Sequence, residues 1–391
     1  MFNYDAPSSF RRFWSSKWMG WLRYFLIWIP LFAWGSTLPG CEYETPPYGY
    51  QEPRYTKQIL VDQKPFKEIK ASNPNATSQT LRLLNWLHQL PHQKENCLLV
   101  GQYIGPMSEL KRLGPRFLDP IQGLTGKSPA FIGGDYQDWQ QRKDQLKPGN
   151  QELLKYWKKG YFIALSWHAD NPFTDGRYED LKVGDFHRLW LPGTPENTRW
   201  ISELNRIAEG LKELQDAGVT VLWRPFHEMN GDWFWWGYRD KEVFIKLWRQ
   251  TYQYLTHTKK LNNLLWVYAP NSVYGRIKSA TMYYPGNAFV DITALDVYNN
   301  HVEVRGYKDL VELGKPFGIS EFGSQGRARD GSFNNMTLMK AIKRYYPETR
   351  FVLFWHSWDD NKVALVDTLG SKDFLNDPWS QTLGESGLPF P

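Results

Sequence analysis

From about residue 76 onward, short apolar runs alternate with longer segments in which apolar residues recur every three or four positions. The runs are "CLLVGQY" (97–103), "PAFIGGDY" (129–136), "GYFIALSWH" (160–168), "VTVLWRPFHE" (219–228), "NNLLWVYAPN" (262–271), "VDITALDVY" (290–298), "KPFGISEFG" (315–323) and "RFVLFWHSW" (350–358). They are rich in β-branched and aromatic residues, lack helical spacing, and predict short buried strands. Between them lie amphipathic stretches such as "TRWISELNRIAEGLKELQDAG" (198–218), whose Gly218 marks a helix stop. Eight strands separated by helices predict a single (β/α)8 domain, the TIM-barrel architecture. An open doubly wound sheet is the competitor, but it would carry a glycine-rich phosphate loop after its first strand. In "GQYIGPMSE" Gly101 and Gly105 are too loosely spaced for that.

In such a barrel the chemistry sits where strands pass into loops. The ends of the predicted strands present Gln102, Tyr103, Asp135, Tyr136, Trp167, His168, His227, Glu228, Asn271, Asp296, Tyr298, Glu321, Trp355 and His356. Acids, histidines and aromatic rings thus recur at strand end after strand end. Glu228 closes the fourth run and Glu321 the seventh, on opposite sides of the mouth. Two carboxyls so placed suit hydrolysis of a glycosidic bond, one protonating the leaving oxygen and the other supporting the anomeric carbon. A retaining reaction requires them about 5–5.5 Å apart, and a gap near 9 Å would speak against it. Burial among tryptophans should push Glu228 up toward roughly 6 to 7, as an acid requires. Glu321 should act as the charged nucleophile, held by donors such as Tyr298 and His227. Arg224, inside the strand before Pro225, is expected to brace the site by ion pairing beneath the mouth.

Other readings stay open for individual positions. A lone Glu at a strand end also serves as a helix cap or ion-pair partner. Asp135 after two glycines suits a turn as well as a ligand contact. Trp235 and Trp236 suit loop packing as well as sugar contact, with Trp236 placed among the substrate contacts. His168, Asp170 and His227 lack the i, i+4 spacing of a helical metal site, and the expected chemistry needs no metal and no cofactor.

Composition sharpens this picture at one point. Aromatic residues make up 16% of the 391 residues, 20 of them tryptophan, which favours either carbohydrate handling or an aromatic-rich core. The net charge of +6 is partly N-terminal, where Arg11, Arg12, Lys17 and Arg23 face only Asp5, and no basic stripe on the body suggests nucleic acid. Two cysteines build no disulfide framework, and Cys97 lies in a predicted buried strand. Ahead of Cys41, a basic flank and an apolar stretch lead into "LPGC", the order of a bacterial lipoprotein signal. Residues 1–41 are therefore expected to export the chain, either by cleavage and lipidation at Cys41 or with residues 19–38 kept as a membrane anchor. Residues 42–75, rich in Pro and Tyr, read as a tether to a body spanning 76–391, expected to be an extracellular or envelope-anchored monomer.

"RPFHEMNGDWFWWG" together with "ISEFG" closely resembles glycoside hydrolase family 26, over about residues 76 to 380. The resemblance implies a retaining (β/α)8 enzyme of clan A, in a family best known as endo-β-1,4-mannanases, with a polysaccharide as its partner. It implies Glu228 as general acid/base and Glu321 as nucleophile, with His227 contacting the nucleophile and Tyr298 in "LDVYNN" orienting it. His168 in "SWHAD" corresponds to a substrate-contacting histidine, and Trp233 and Trp355 to rings that stack on sugars. This chain reads "WHSWDD" where mannanases of the family tend to follow the last-strand Trp with Arg-Asn, which leaves the roles of His356 and Asp359 open. The expected function is endo-β-1,4-mannanase. Alternatives are cleavage of mixed-linkage β-glucan or β-1,3-xylan, and a noncatalytic carbohydrate-binding barrel.

Overall fold

Each of the eight apolar runs overlaps a strand: β1 (Leu98–Pro106), β2 (Phe131–Asp135), β3 (Phe162–Trp167), β4 (Val221–Pro225), β5 (Leu264–Tyr268), β6 (Ile292–Tyr298), β7 (Phe317–Gly323) and β8 (Thr349–Phe354). The computed structural model describes residues 69–90, 97–137, 146–272 and 277–386. The export signal, Cys41 and the stretch 19–38 lie outside the described residues, as does most of the segment 42–75. Among the described residues no helix is long and apolar enough to cross a membrane.

Neighbouring strands pair in parallel in the order β2 to β8 and then β1, and β1 also pairs with β2, which closes the cylinder. Closure removes both sheet edges, and buried faces on both sides explain why the strands read as apolar runs rather than alternating ones. The α-helices among the described residues are α1 (Ser78–Gln89), α2 (Leu110–Thr125), α3 (Leu146–Lys158), α4 (Pro195–Asp216), α5 (Lys241–Tyr252), α6 (Tyr307–Val311), α7 (Asn335–Tyr345) and α8 (Ser371–Asn376), and a two-residue β9 (Ser380–Gln381) lies beside β1. The predicted helix at 198–218 starts earlier, at Pro195, because Thr194 caps it by accepting from the Asn197 N–H and Pro195 fits the first turn.

Leu83, Leu84, Trp86 and Leu87 of α1 pack with Leu99, Phe131, Phe162 and Leu265 near the strand starts, so α1 closes the N-terminal end of the barrel. The chain joins the barrel before residue 76. The Ser72 hydroxyl donates to Asp291 (2.9 Å) and the Asn73 amide to the Leu261 carbonyl (3.2 Å), so residues 69–75 are part of the body rather than tether. Inside the cylinder, glycines make room for rings: a Cβ on Gly318 would lie 2.2 Å from the Phe351 ring, and one on Gly101 2.3 Å from Phe131. Between sheet and helices, Trp167, Trp200, Trp223, Trp248 and Trp266 are fully buried, and Trp167 stacks on both Trp200 and Trp223. Much of the tryptophan excess is therefore core.

Candidate active site

The run 219–228 does not stay extended to its end. β4 stops at Pro225, which lacks an N–H for the ladder, and Phe226 and Glu228 then take positive φ angles of 51° and 54°. Glu228 thus sits in a tight turn past the strand, anchored by its N–H to the Ala269 carbonyl of the neighbouring strand end (2.8 Å). Strain of this kind persists only where the surroundings over-determine it. Here the surroundings are the aromatic loop, whose indole N–H groups each find a site acceptor. Trp233 donates to Glu228 Oε2 (2.5 Å), Trp235 to the Ala169 carbonyl (2.8 Å) and Trp236 to the His227 carbonyl (2.8 Å). Gly231 permits this, because a Cβ there would lie 2.2 Å from the Trp233 ring.

The second oxygen of Glu228 accepts from the Asn271 side-chain amide, three residues past the end of β5. Asn230 holds Asn271 in turn, donating to its carbonyl (2.9 Å) and accepting from its N–H (2.8 Å). Burial, and then the charge of Glu321, push the Glu228 carboxyl up to about 7 against the opposing bonds from Asn271 and Trp233.

Glu321, in β7, sits in a different setting. Tyr298 donates its hydroxyl to Oε2 (2.6 Å) and Arg224 donates Nη2 to Oε1. Arg224 also donates Nη1 to Asp296 (2.7 Å), which accepts a further bond from the Ser320 hydroxyl (2.6 Å). A register shift between Leu295 and Asp296 sets Asp296 opposite Glu321 and Tyr298 opposite Gly323, where a Cβ would lie 2.8 Å from the Tyr298 ring. Burial works against the charge of Arg224, but Asp296 and Glu321 outweigh it and hold the guanidinium protonated. Oxygens of Glu228, Asp296 and Glu321 approach within 4.8 Å of one another, close enough to share a cation, and Arg224 supplies that charge between Asp296 and Glu321.

Two expectations require correction. His227 does not hydrogen-bond Glu321, since its Nε2 lies 4.0 Å from Oε1. That atom instead faces His168 Nε2 at 3.0 Å, because the turn after Pro225 carries the imidazole toward β3. The donor to Glu321 from this element is Arg224, reaching across the barrel. Trp236 is not a sugar contact. It has no exposed surface, and its ring stacks on Phe234 (4.6 Å) beneath the loop. We expect Trp236→Ala to lower stability by about 3–5 kcal/mol, as loss of a fully buried Trp does. Thermal unfolding would show it as a lower Tm.

The other sequence-derived residues gather around the same mouth. His168 bonds through Nδ1 to the buried Asp135, and its Asp135-facing charge is raised despite burial. Trp355 is half-buried and stacks on Tyr103 with ring centroids 3.8 Å apart. His356 packs 5.2 Å from both rings, and burial pushes it down to about 4, so it is neutral behind that platform. Asp359 is exposed in the turn beyond, at a φ of 46°. Asn271 and Asp296 stood at predicted strand ends without an assigned task, and position was the only signal that could have singled them out.

Comparison with known proteins follows the same lines. The model described as Glycosyl hydrolase family 26 matches residues 72–385. The chain is 39% identical over 331 residues to mannan endo-1,4-beta-mannosidase A and B of Caldalkalibacillus mannanilyticus, spanning 80% of this chain and 62% of that relative. It thus covers less than two thirds of that protein. With a mannan endo-1,4-beta-mannosidase of Bacillus subtilis it shares 35% identity over 335 residues, covering 80% of this chain and 88% of the relative. The solved structure of a Bacillus subtilis mannanase superposes with a TM-score of 0.75 at 32% identity, covering 83% of this chain and 100% of that one.

Proposed function

Because this chain belongs to glycosyl hydrolase family 26 and is a glycoside hydrolase built on a (β/α)8 barrel, we propose that it cleaves internal β-1,4 bonds of mannan by a two-glutamate, retaining reaction. The relatives' activity on mannan supports the substrate. The observation that carries the mechanism is the approach of Glu228 and Glu321 oxygens within 4.8 Å, in electrostatic settings that differ. Inverting enzymes hold their carboxyls about 6.5–9.5 Å apart to admit a water between them.

In the proposed sequence a Glu321 oxygen attacks the anomeric carbon while Glu228 gives its proton to the departing glycosidic oxygen. The sugar–oxygen bond breaks and a glycosyl ester on Glu321 forms. Esterification removes the Glu321 charge, one of the two causes that hold the Glu228 proton. Glu228 is then a carboxylate ready to take a proton from water. That water attacks the anomeric carbon, releases the sugar and restores both glutamates. Arg224 and Tyr298 keep the attacking oxygens oriented throughout. Trp233, tied to the acid and half-buried, is suited to stack on the leaving sugar, and Trp355 on Tyr103 offers a second platform. A polymer this large acts outside the cell, which supports the export read from residues 1–41.

The test is reducing-sugar release from β-mannan, mixed-linkage β-glucan and β-1,3-xylan in parallel, with the first-formed anomer followed by proton NMR. Release from mannan with the β-anomer first is the expected result. Release from another polymer alone would overturn the substrate, and an α-anomer first would overturn the mechanism.

A further inference from the structure

Asp135, at the end of β2, plays no part in the two-glutamate scheme, yet it is 1% exposed and accepts bonds from four donors. These are the Gln137 N–H (2.7 Å), the His168 N–H (3.2 Å), the Ser166 hydroxyl (2.8 Å) and His168 Nδ1. Beyond it the chain of contacts continues. His168 Nε2 lies 3.0 Å from His227 Nε2, and the same His227 atom lies 4.0 Å from Glu321 Oε1.

Two imidazole nitrogens facing each other at that distance share a single proton: one donates and the other accepts. The Asp135 carboxylate only accepts, so His168 carries a proton on Nδ1. In neutral His168 the Nε2 is then a lone pair, and His227 must place its own proton on Nε2. The opposite tautomer would bury the proton on His227 Nδ1, which has no hydrogen-bond partner in the protein. An orphaned buried N–H is the rarer and costlier defect.

We propose that Asp135 is a positioning residue which, through His168, fixes the tautomer of His227 so that Nε2, its atom nearest the nucleophile Glu321, carries a proton rather than a lone pair. The proposal rests on the two-glutamate reading above. A shift of about 1 Å turns that N–H from His168 toward the carboxylate, whereas a lone pair there would repel it.

Protonation of His168 would undo the arrangement. The groups facing its ring are Asp135 from β2, Arg224 and His227 from β4 and the turn after it, Glu321 from β7, and Tyr178 from the loop after β3. Burial alone would lower its affinity for a proton, but the charge of Asp135 and the hydrogen bond to it win and raise it above the ordinary value. His227 is held well below its ordinary value, chiefly by burial and then by Arg224 and His168. As pH falls through the His168 value, its Nε2 becomes a donor and His227 must present a lone pair to it. The competent tautomer therefore belongs to the higher pH side.

Nitrogen-15 NMR of the full chain labelled at histidine reads the tautomers directly and needs no substrate. At pH above the His168 titration, the expected result is His168 protonated on Nδ1 and His227 on Nε2. Asp135→Asn, whose amide can donate as well as accept, should release His227 to a mixture. It should also lower kcat on β-mannan about 10- to 100-fold with KM within about twofold, and move the acid limb of kcat/KM to lower pH, since the charge that raises His168 is gone. A purely structural role would lower Tm and leave the acid limb where it was. His227 protonated on Nδ1 in the unsubstituted protein would overturn the proposal, and so would an Asp135→Asn enzyme with unchanged kcat and acid limb. Should that variant fail to fold, the tautomers of the unsubstituted protein decide alone. An inactive wild-type chain on mannan would sink the mannanase reading while the NMR result still decides this one.

Discussion

Glu321→Ala is expected to lower kcat on β-mannan by roughly 10⁴-fold or more, the scale on which removal of a covalent nucleophile acts. The geometry explains why no neighbour can stand in for it. Asp296, the adjacent carboxylate, is fully buried and is bound by Arg224 at 2.7 Å and by Ser320 at 2.6 Å. The substitution also strips an acceptor from Tyr298 and half of the ion pairing from Arg224, a buried charge. Breaking a buried pair on one side costs about 3–5 kcal/mol, so Tm must be measured alongside turnover. Glu321→Gln keeps an acceptor for Tyr298 and separates the two effects: kcat should fall comparably with a smaller loss of Tm. A small nucleophilic anion such as azide, able to enter the space left by alanine, should restore turnover and yield a product of inverted configuration. Substantial activity in both variants without added anion would remove Glu321 from the reaction.

Glu228→Gln should lower kcat on mannan by about 10²- to 10⁴-fold, the usual contribution of a positioned acid and base. Its effect should depend on the leaving group. With an aryl mannoside whose phenolate needs no proton, the first step should proceed nearly as before, and the glycosyl ester on Glu321 should accumulate because no base activates water. The pH profile provides an independent check. The acid must be protonated to act, and burial with the Glu321 charge sets its proton loss at about 7. The wild-type kcat/KM should therefore fall about tenfold per unit above that value, separately from the acid limb assigned to His168. In Glu228→Gln this alkaline limb should vanish from the residual activity. A limb that persists would assign it to another group.

The aromatic loop shows how far residue types alone can be read. Five large aromatics after a buried strand point to a site, and the structure packs them around Glu228 and His227. Which ring faces a sugar is a separate matter. Trp233 is half-buried and bonded to Glu228, whereas Trp236 three positions on is sealed beneath Phe234. Nothing in the spacing separates them, because the loop follows neither a helical nor a strand period and each ring's environment is set by elements distant in the chain. Arg224 is a similar case. An arginine inside an apolar strand demands a counter-charge, and that demand is legible. That it takes two partners at once, Asp296 on β6 and Glu321 on β7, follows from the closed barrel and the register shift at Asp296.

What the sequence by itself determined is the order of eight parallel strands, the helices between them and the two glutamates at strand ends. Those features rest on local hydrophobic period and on residue chemistry, which travel with the chain. Tertiary structure alone decided the turn at Pro225 that lifts Glu228 off its strand, the linkage from Asp135 through His168 to His227, and the approach of Glu228 to Glu321 within 4.8 Å. Each of these depends on closure of the cylinder and on strand register. A shift of one residue in strand pairing would turn Asp135 and Glu321, which lie within β2 and β7, to the opposite face.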